Sequence, residues 1–207
     1  MTITPEASRR PIAARGSGFA RALTAWLLGT AITPNQISLA SIGFAAGAAG
    51  ALLLGPAWLP VVVLGVQLRL LCNLLDGMVA VEGGRGSALG ALYNEVPDRV
   101  ADSLLIVALG YAVGAPWLGW AGALAAALTA YVRVLGGALG QVQDFRGPMA
   151  KQHRMAVLTL ACVLALVEAW FGLAPYALWV AAWLILLGSL ITCGTRLRAI
   201  ARGLLAA

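Results

Sequence analysis

Apolar stretches long enough to cross a bilayer follow one another along this chain, with only short turns between them. A hydrocarbon core about 30 Å thick takes about 20 apolar residues in a helix. Backbone groups find no water there, so only helices and closed barrels can span it. The 207 residues are 61% hydrophobic and 11% charged, with a mean hydropathy of +0.89. A soluble helical core does not call for so many long apolar segments with so few charges. The expected architecture is all-α and polytopic.

Six membrane-spanning helices are expected, at about 35–54, 57–82, 88–113, 117–141, 151–172 and 175–196. Thr33-Pro34 supplies an N-cap followed by proline at the first helical position. Gly55-Pro56, Gly114-Ala115-Pro116 and Gly172-Leu173-Ala174-Pro175 punctuate the turns. Ahead of these, Arg21, Trp26 and the short stretch LTAWLLGTAI suggest an amphipathic helix lying in the interface. No small-residue cleavage site marks it as a signal peptide. The organisation is then a basic segment over about 1–32, a transmembrane domain over about 33–198 and a basic tail to the C-terminus.

Eleven of the fourteen basic residues fall on one side of the six-span arrangement: Arg9, Arg10, Arg15, Arg21, Arg85, Arg146, Lys151, Arg154, Arg196, Arg198 and Arg202. By the positive-inside rule that side is cytoplasmic, with both termini inside. The chain is thus expected in the inner (cytoplasmic) membrane, as a multi-pass protein. The basic residues form no stripe with interleaved aromatics, so no nucleic-acid partner is expected. Cys72, Cys162 and Cys193 sit in apolar segments and read as small buried hydrophobes. His153 is the only histidine, which excludes a histidine-rich zinc site.

Five of the eight acidic residues lie between Asn73 and Asp102: Asp76, Glu82, Glu95, Asp98 and Asp102. Asn73 and Asp76 are three apart; Asn94, Asp98 and Asp102 follow at intervals of four. These spacings put side chains on one face of each of two consecutive helices. Carboxylates in a low-dielectric setting repel unless something positive compensates. An all-oxygen set suits a hard divalent cation, Mg²⁺, Mn²⁺ or Ca²⁺. The plain alternative pairs the acids with Arg69, Arg85 and Arg99, and at least one such partner is expected. Gly77, Gly83, Gly84, Gly86 and Gly90 allow either close helix packing or backbone approach to a bulky ligand, Gly77 and Gly90 lying beside the acids.

These residues resemble the CDP-alcohol phosphotransferase (CDP-alcohol phosphatidyltransferase) family, whose pattern is D-x2-D-G-x2-A-R-x8-G-x3-D-x3-D. Asp76, Gly77, Ala80, Gly90 and Asp98 fall on it, and the TPNQIS stretch from Thr33 to Ser38 resembles the family's entry into its first span. The chain departs from the pattern at three places: Asn73 and Asn94 replace aspartates, and Val81 replaces the arginine. The resemblance implies six spans with both termini inside, a homodimer, and Mg²⁺ or Mn²⁺ as cofactor. It implies Asn73, Asp76, Asn94 and Asp98 as metal ligands and Asp98 as general base. Gly77, Ala80 and Gly90 would contact the CDP donor, and Arg85, four residues after Val81, would take over the nucleotide phosphates. The two asparagines keep an oxygen at each position but halve the possible negative charge, and Asp102 is the auxiliary acid that would restore one.

The activity implied is transfer of a phosphatidyl group from CDP-diacylglycerol to an alcohol, with release of CMP, in phospholipid biosynthesis. Two alternatives stay open: a CDP-alcohol donor with a diacylglycerol-like acceptor, and a catalytically impaired nucleotide- or lipid-binding homologue. Arg133, Lys151 and Arg154 form a cluster suited to an anionic, phosphorylated alcohol acceptor. Arg146 and His153 read instead as anchors to anionic lipid. Glu168, deep in an apolar segment, has no evident partner from sequence.

Overall fold

The computed structural model describes residues 16–206; Arg9, Arg10 and Arg15 of the basic N-terminal segment lie outside them. The described residues contain helices and no strand. They are α1 (Gly18–Leu28), α2 (Pro34–Leu53), a short 3-10 turn (Pro56–Trp58), α3 (Leu59–Glu82), α4 (Gly90–Ala112), α5 (Pro116–Ala138), α6 (Lys151–Trp170) and α7 (Tyr176–Leu205). The six long helices α2 to α7 stand where the hydrophobic pattern placed them. Five, all but α4, are long and apolar enough to cross a membrane. The 23 residues of α4 carry Glu95, Asp98, Arg99 and Asp102, which lower its hydropathy.

The chain forms two compact units that divide within α4, one of residues 16–105 and one of residues 106–206. In the first, α2 starts on a complete capping box. Thr33 Oγ1 accepts from the Gln36 N–H at 3.3 Å, and Gln36 Oε1 accepts from the Thr33 N–H at 2.9 Å. α2 and α3 pack closely because both are small where they meet. A Cβ added at Gly65 would lie 2.8 Å from the Ala48 Cβ and 3.0 Å from the Phe44 carbonyl oxygen. The buried face of α2 is Ser38, Ser41, Ala45, Ala48 and Leu52. Gly43, Gly47 and Gly50 are exposed, and a Cβ added at any of them would meet nothing within 4 Å among the described residues.

α1 is 11 residues long, too short to span. Its Ala20, Thr24 and Leu27 form one face and are buried, while Phe19 and Trp26 are exposed. Leu27 packs with Ile37, Cys72, Leu75 and Val79, and the Thr24 hydroxyl lies 3.7 Å from the Met78 sulfur. The interfacial helix expected from sequence is therefore docked along α3.

In the second unit α5 and α6 both pack on α7. Gly110 and Gly119 let α4 and α5 touch: a Cβ at Gly119 would sit 2.9 Å from the Gly110 Cα. Glu168 finds its partner here. Both its carboxylate oxygens accept from the Ala177 N–H, at 3.0 and 3.2 Å, so a half-buried acid caps the N-terminus of α7.

Two boundaries differ from expectation. α5 stops at Ala138 rather than about 141, and Gly140 turns the chain at φ +80°. α7 runs to Leu205 rather than about 196, so the expected basic tail is helical nearly to the end. Nothing in TRLRAIARGLL breaks a helix, and Ile200 is buried against Gly136. Pro97 lies inside α4. All three cysteines are free and buried, as their apolar settings implied.

Candidate active site

In residues 16–105 the C-terminal part of α3 presents Asn73 and Asp76 one turn apart. Asp76 is buried, and its carboxylate is held on both oxygens. The Ser38 hydroxyl donates to Oδ2 at 2.6 Å, and the Gly77 N–H lies 2.5 Å from Oδ1. Ser38 closes the TPNQIS stretch, so the motif that begins α2 also orients the motif acid of α3. Asn73 has its Nδ2 buried with no hydrogen-bond partner. A buried amide left so is costly. A half-turn of the side chain exchanges Nδ2 and Oδ1 and presents an oxygen at the same buried point.

From α4 come Asp98 and Asp102, both buried, while Asn94 is exposed nearer the helix start. Between the two aspartates lies Arg69 of α3, fully buried at 0% exposure. Its Nη2 is 2.5 Å from Asp102 Oδ1 and 3.8 Å from Asp98 Oδ1, and it donates to the Asp98 carbonyl at 3.4 Å. Arg99 sits nearer the surface, 3.8 Å from Glu95 Oε2 and 3.7 Å from Asp98 Oδ2. The expected arginine partner is thus Arg69, joined by Arg99. Asp102, expected as an auxiliary acid, is bonded to Arg69.

Arg85 also departs from expectation. It donates to the carbonyls of Leu28, Thr30 and Ile32 at 3.0, 3.0 and 3.2 Å. Those are orphan acceptors at and after the end of α1, so Arg85 clasps α1 to the loop after α3 instead of reaching for phosphates. Gly77 and Ala80 are half-buried on α3. Gly90 opens α4, where an added Cβ would meet only Ser87 Oγ at 3.8 Å, leaving room beside the acids.

The donor set is suited to a hard divalent cation. Asp76 and Asp98 carry buried carboxylates, and Asn73, one turn before Asp76, has a buried amide nitrogen without a hydrogen-bond partner. Among the described residues no three Asp, Glu, His or Cys side chains converge as a metal cluster.

In residues 106–206 a cavity of about 80 Å³ is lined by Arg133, Gln141, Asp144, Arg146 and Arg196, with Val132, Gly136, Val142, Ala199 and Ile200. Arg196 is buried. Its Nε donates to the Arg146 carbonyl at 2.9 Å and its Nη1 to the Thr129 carbonyl at 2.6 Å. Arg133 lies over the Phe145 ring at 5.2 Å. Arg146 grips Asp144 with two hydrogen bonds of 2.9 and 3.0 Å, which holds the Asp144 carboxyl below its ordinary value of 3.8. The loop keeps its shape through Gly147, at φ +126°, where a Cβ would also collide with Thr192. The Thr192 hydroxyl accepts from the Met149 N–H at 2.9 Å.

Of the three residues expected on the acceptor side, Arg133 lines this cavity. Lys151, the first residue of α6, does not, nor does Arg154. Arg154 is fully buried and donates to the Met149 carbonyl at 2.7 Å and the Thr129 hydroxyl at 3.4 Å, tying α6 to α5. Arg146 and Arg196 belong to the cavity, although from sequence Arg146 reads as an anchor to anionic lipid and Arg196 as part of the charge topology. Their signal was faint: a basic residue at a helix end satisfies the positive-inside rule whatever else it does.

No protein-family model matches the sequence. Individual relatives do. The phosphatidylinositol phosphate synthase of Corynebacterium glutamicum is 32% identical over 179 residues, covering 80% of this chain and 76% of that protein. The archaetidylinositol phosphate synthase of Aeropyrum pernix is 35% identical over 135 residues, covering 63% and 66%. Among solved structures, the Mycobacterium tuberculosis phosphatidylinositol phosphate synthase with CDP-DAG bound superposes with a TM-score of 0.73 at 24% identity, over 89% of this chain and 94% of that one. The same enzyme in complex with manganese and citrate gives 0.74 at 23%, over 87% and 88%. An all-helical fold shared with that synthase, a motif in register from Asn73 to Asp98 and a relative 32% identical across most of both chains together place this protein in the CDP-alcohol phosphotransferase family.

Proposed function

We propose that this protein transfers the phosphatidyl group of CDP-diacylglycerol to a phosphorylated alcohol of the inositol phosphate type, releasing CMP, in phospholipid biosynthesis. The arginine-lined cavity of Arg133, Arg146 and Arg196 carries the acceptor part of the reading. Guanidinium groups match phosphate geometry with paired, charge-assisted hydrogen bonds. A neutral alcohol gains nothing from three of them, whereas a phosphomonoester does. The names of the relatives point to the same acceptor class.

On the donor side, Asn73, Asp76, Asn94 and Asp98 would hold a divalent cation, Mg²⁺ or Mn²⁺. When bound, that cation supplies charge neutralisation for the pyrophosphate and for the departing CMP. The protein's own part is orientation and proton transfer. Ser38 and the Gly77 N–H fix the Asp76 carboxylate. Gly77, Ala80 and Gly90 leave space for the donor along the two helices. Asp98 takes the proton of the acceptor hydroxyl as its oxygen bonds to the phosphatidyl phosphorus. The bond from that phosphorus to the bridging oxygen breaks, and CMP leaves with the electron pair. We place the reaction at the cytoplasmic face of the membrane, with α4 completing six spans, since the basic loops favour that side, and we expect a homodimer.

The test is CMP release by the purified protein in detergent or vesicles, with CDP-diacylglycerol, Mn²⁺ and either a phosphorylated or a plain inositol. Release that needs both the cation and the phosphorylated acceptor supports the reading. Release with plain inositol alone would refute the acceptor assignment. A complete lack of release with every CDP-linked donor would refute the transferase itself.

A further inference from the structure

Within the acceptor reading above, on which this rests, we infer that Gln141 and Asp144 select the acceptor by its hydroxyls, so that the cavity takes a phosphorylated polyol rather than any phosphorylated alcohol. The cavity wall carries two kinds of group. Arg133, Arg146 and Arg196 offer guanidinium donors, and Gln141 and Asp144 stand among them. A phosphoryl group brings acceptor oxygens and suits the donors. It gains nothing from an oxygen lone pair, whereas a hydroxyl has a proton to donate.

Asp144 lies deeper than the arginine it binds: its side chain is 13% exposed and that of Arg146 75%. Its Oδ1 accepts from the Arg146 backbone N–H and from Nε, both at 2.9 Å, and its Oδ2 accepts from Nη2 at 3.0 Å. These bonds keep the carboxyl ionised at neutral pH, so it accepts and does not donate. A carboxylate has about four lone-pair sites, and the three bonds from Arg146 leave room for one more donor. Arg146 also offsets the charge, which lowers the repulsion between Asp144 and a phosphoryl group bound alongside. Gln141 is held as firmly. Its Nε2 donates to the Ile200 carbonyl at 3.0 Å, which fixes the amide the right way round. The amide lies over Gly203 of α7, where an added Cβ would come within 2.5 Å of Nε2 and 2.9 Å of Oε1. With Nε2 turned to the backbone, Oε1 is the acceptor this side chain brings to the cavity. A polyol supplies hydroxyls to both acceptors, and a site built to hydrogen-bond a hydroxyl discriminates against analogues that lack it.

The experiment measures dissociation constants by titration calorimetry on the full chain in detergent, without the CDP-linked donor. The probes are an inositol monophosphate, glycerol 3-phosphate and inorganic phosphate. The wild type is expected to bind the inositol monophosphate about 30-fold tighter than inorganic phosphate, with glycerol 3-phosphate between them. That ratio is expected to fall about 10-fold in Asp144→Ala and about 3-fold in Gln141→Met. Arg196→Gln is expected to weaken both ligands by a similar factor and so to leave the ratio in place. A wild-type ratio near one, or no binding of any probe, overturns the inference. So does a ratio that both Asp144→Ala and Gln141→Met leave unchanged, or one that falls as far in Arg196→Gln as in Asp144→Ala. If neither variant folds, glycerol 3-phosphate decides: binding as tight as the inositol monophosphate overturns the inference, and binding weaker by about 10-fold supports it. CMP release on the same preparation separates the two readings. A preference for the polyol without CMP release sinks only the transferase, and CMP release without that preference sinks only the hydroxyl selection.

Discussion

In residues 16–105 the buried arginine, Arg69, is matched by the carboxylates of Asp98 and Asp102. In residues 106–206 the buried Arg196 is held by two backbone carbonyls instead, those of Arg146 and Thr129. A carboxylate partner cancels a guanidinium's charge, whereas carbonyl partners fix the group in place and leave its charge standing. Counted together, Asp76, Glu95, Asp98 and Asp102 outnumber Arg69 and Arg99, so the first region suits a cation. The second keeps a surplus of guanidinium around its cavity and suits an anion. The same residue type, buried in the same kind of helix, prepares opposite chemistry according to what it is bonded to.

The contrast breaks most visibly at Arg69. Arg69→Met strands Asp102 and is expected to destabilise the protein by about 3–5 kcal/mol, read as a lower melting temperature in detergent. Arg69→Met/Asp102→Asn should recover much of that loss. If Arg69→Met melts like the parent, the buried pair is not what holds α3 to α4. Next in size is Asp98→Ala, expected to slow CMP release by about 100-fold or more while melting close to the parent. A variant that keeps near-normal turnover would remove Asp98 as the base.

On the opposite side of the comparison, Arg196→Gln should raise KM for the phosphorylated acceptor by about 10-fold, the worth of one charge-assisted hydrogen bond. KM for the CDP-linked donor should stay put. A rise in both would show that Arg196 acts on the fold rather than on the acceptor. Smaller again is Thr33→Ala, which removes the α2 cap and should cost about 1 kcal/mol without changing metal dependence.

The smallest effect concerns pH. Asp144 has its carboxyl lowered from 3.8 in the folded protein, mainly by the Arg146 hydrogen bonds. The folded form thus prefers the ionised carboxylate. That preference is fully present above the unfolded value and is lost as pH falls below 4 through the folded one. Arg146 is exposed to solvent, so the loss is slight. Asp144→Asn should flatten it, and a melting curve unchanged between the two proteins on acidification would show that the contact contributes nothing.

Much of this was legible before any coordinates. Helix periodicity and the Gly-Pro turns placed α2 to α7, because hydrophobic length and turn chemistry are local properties. The register of Asn73, Asp76, Asn94 and Asp98 is also local, as it follows from spacing on two consecutive helices. Three things were not. Ser38 meets Asp76 across 38 positions of sequence, and no spacing rule joins a serine on α2 to an acid on α3. Arg85 has the composition of a phosphate ligand, yet it is spent on the open carbonyls after α1. Glu168 looked unpartnered because its partner is a backbone N–H, which every residue but proline has and no sequence advertises. Long-range contacts and backbone acceptors are where reading from sequence stops.

The most direct test of the whole account is CMP release by the purified chain supplied with CDP-diacylglycerol, Mn²⁺ and a phosphorylated inositol. The account predicts release that stops when the cation is chelated, stops in Asp98→Ala, and falls sharply when plain inositol replaces the phosphorylated one. Equal release with the unphosphorylated alcohol, or release indifferent to chelation, would contradict it.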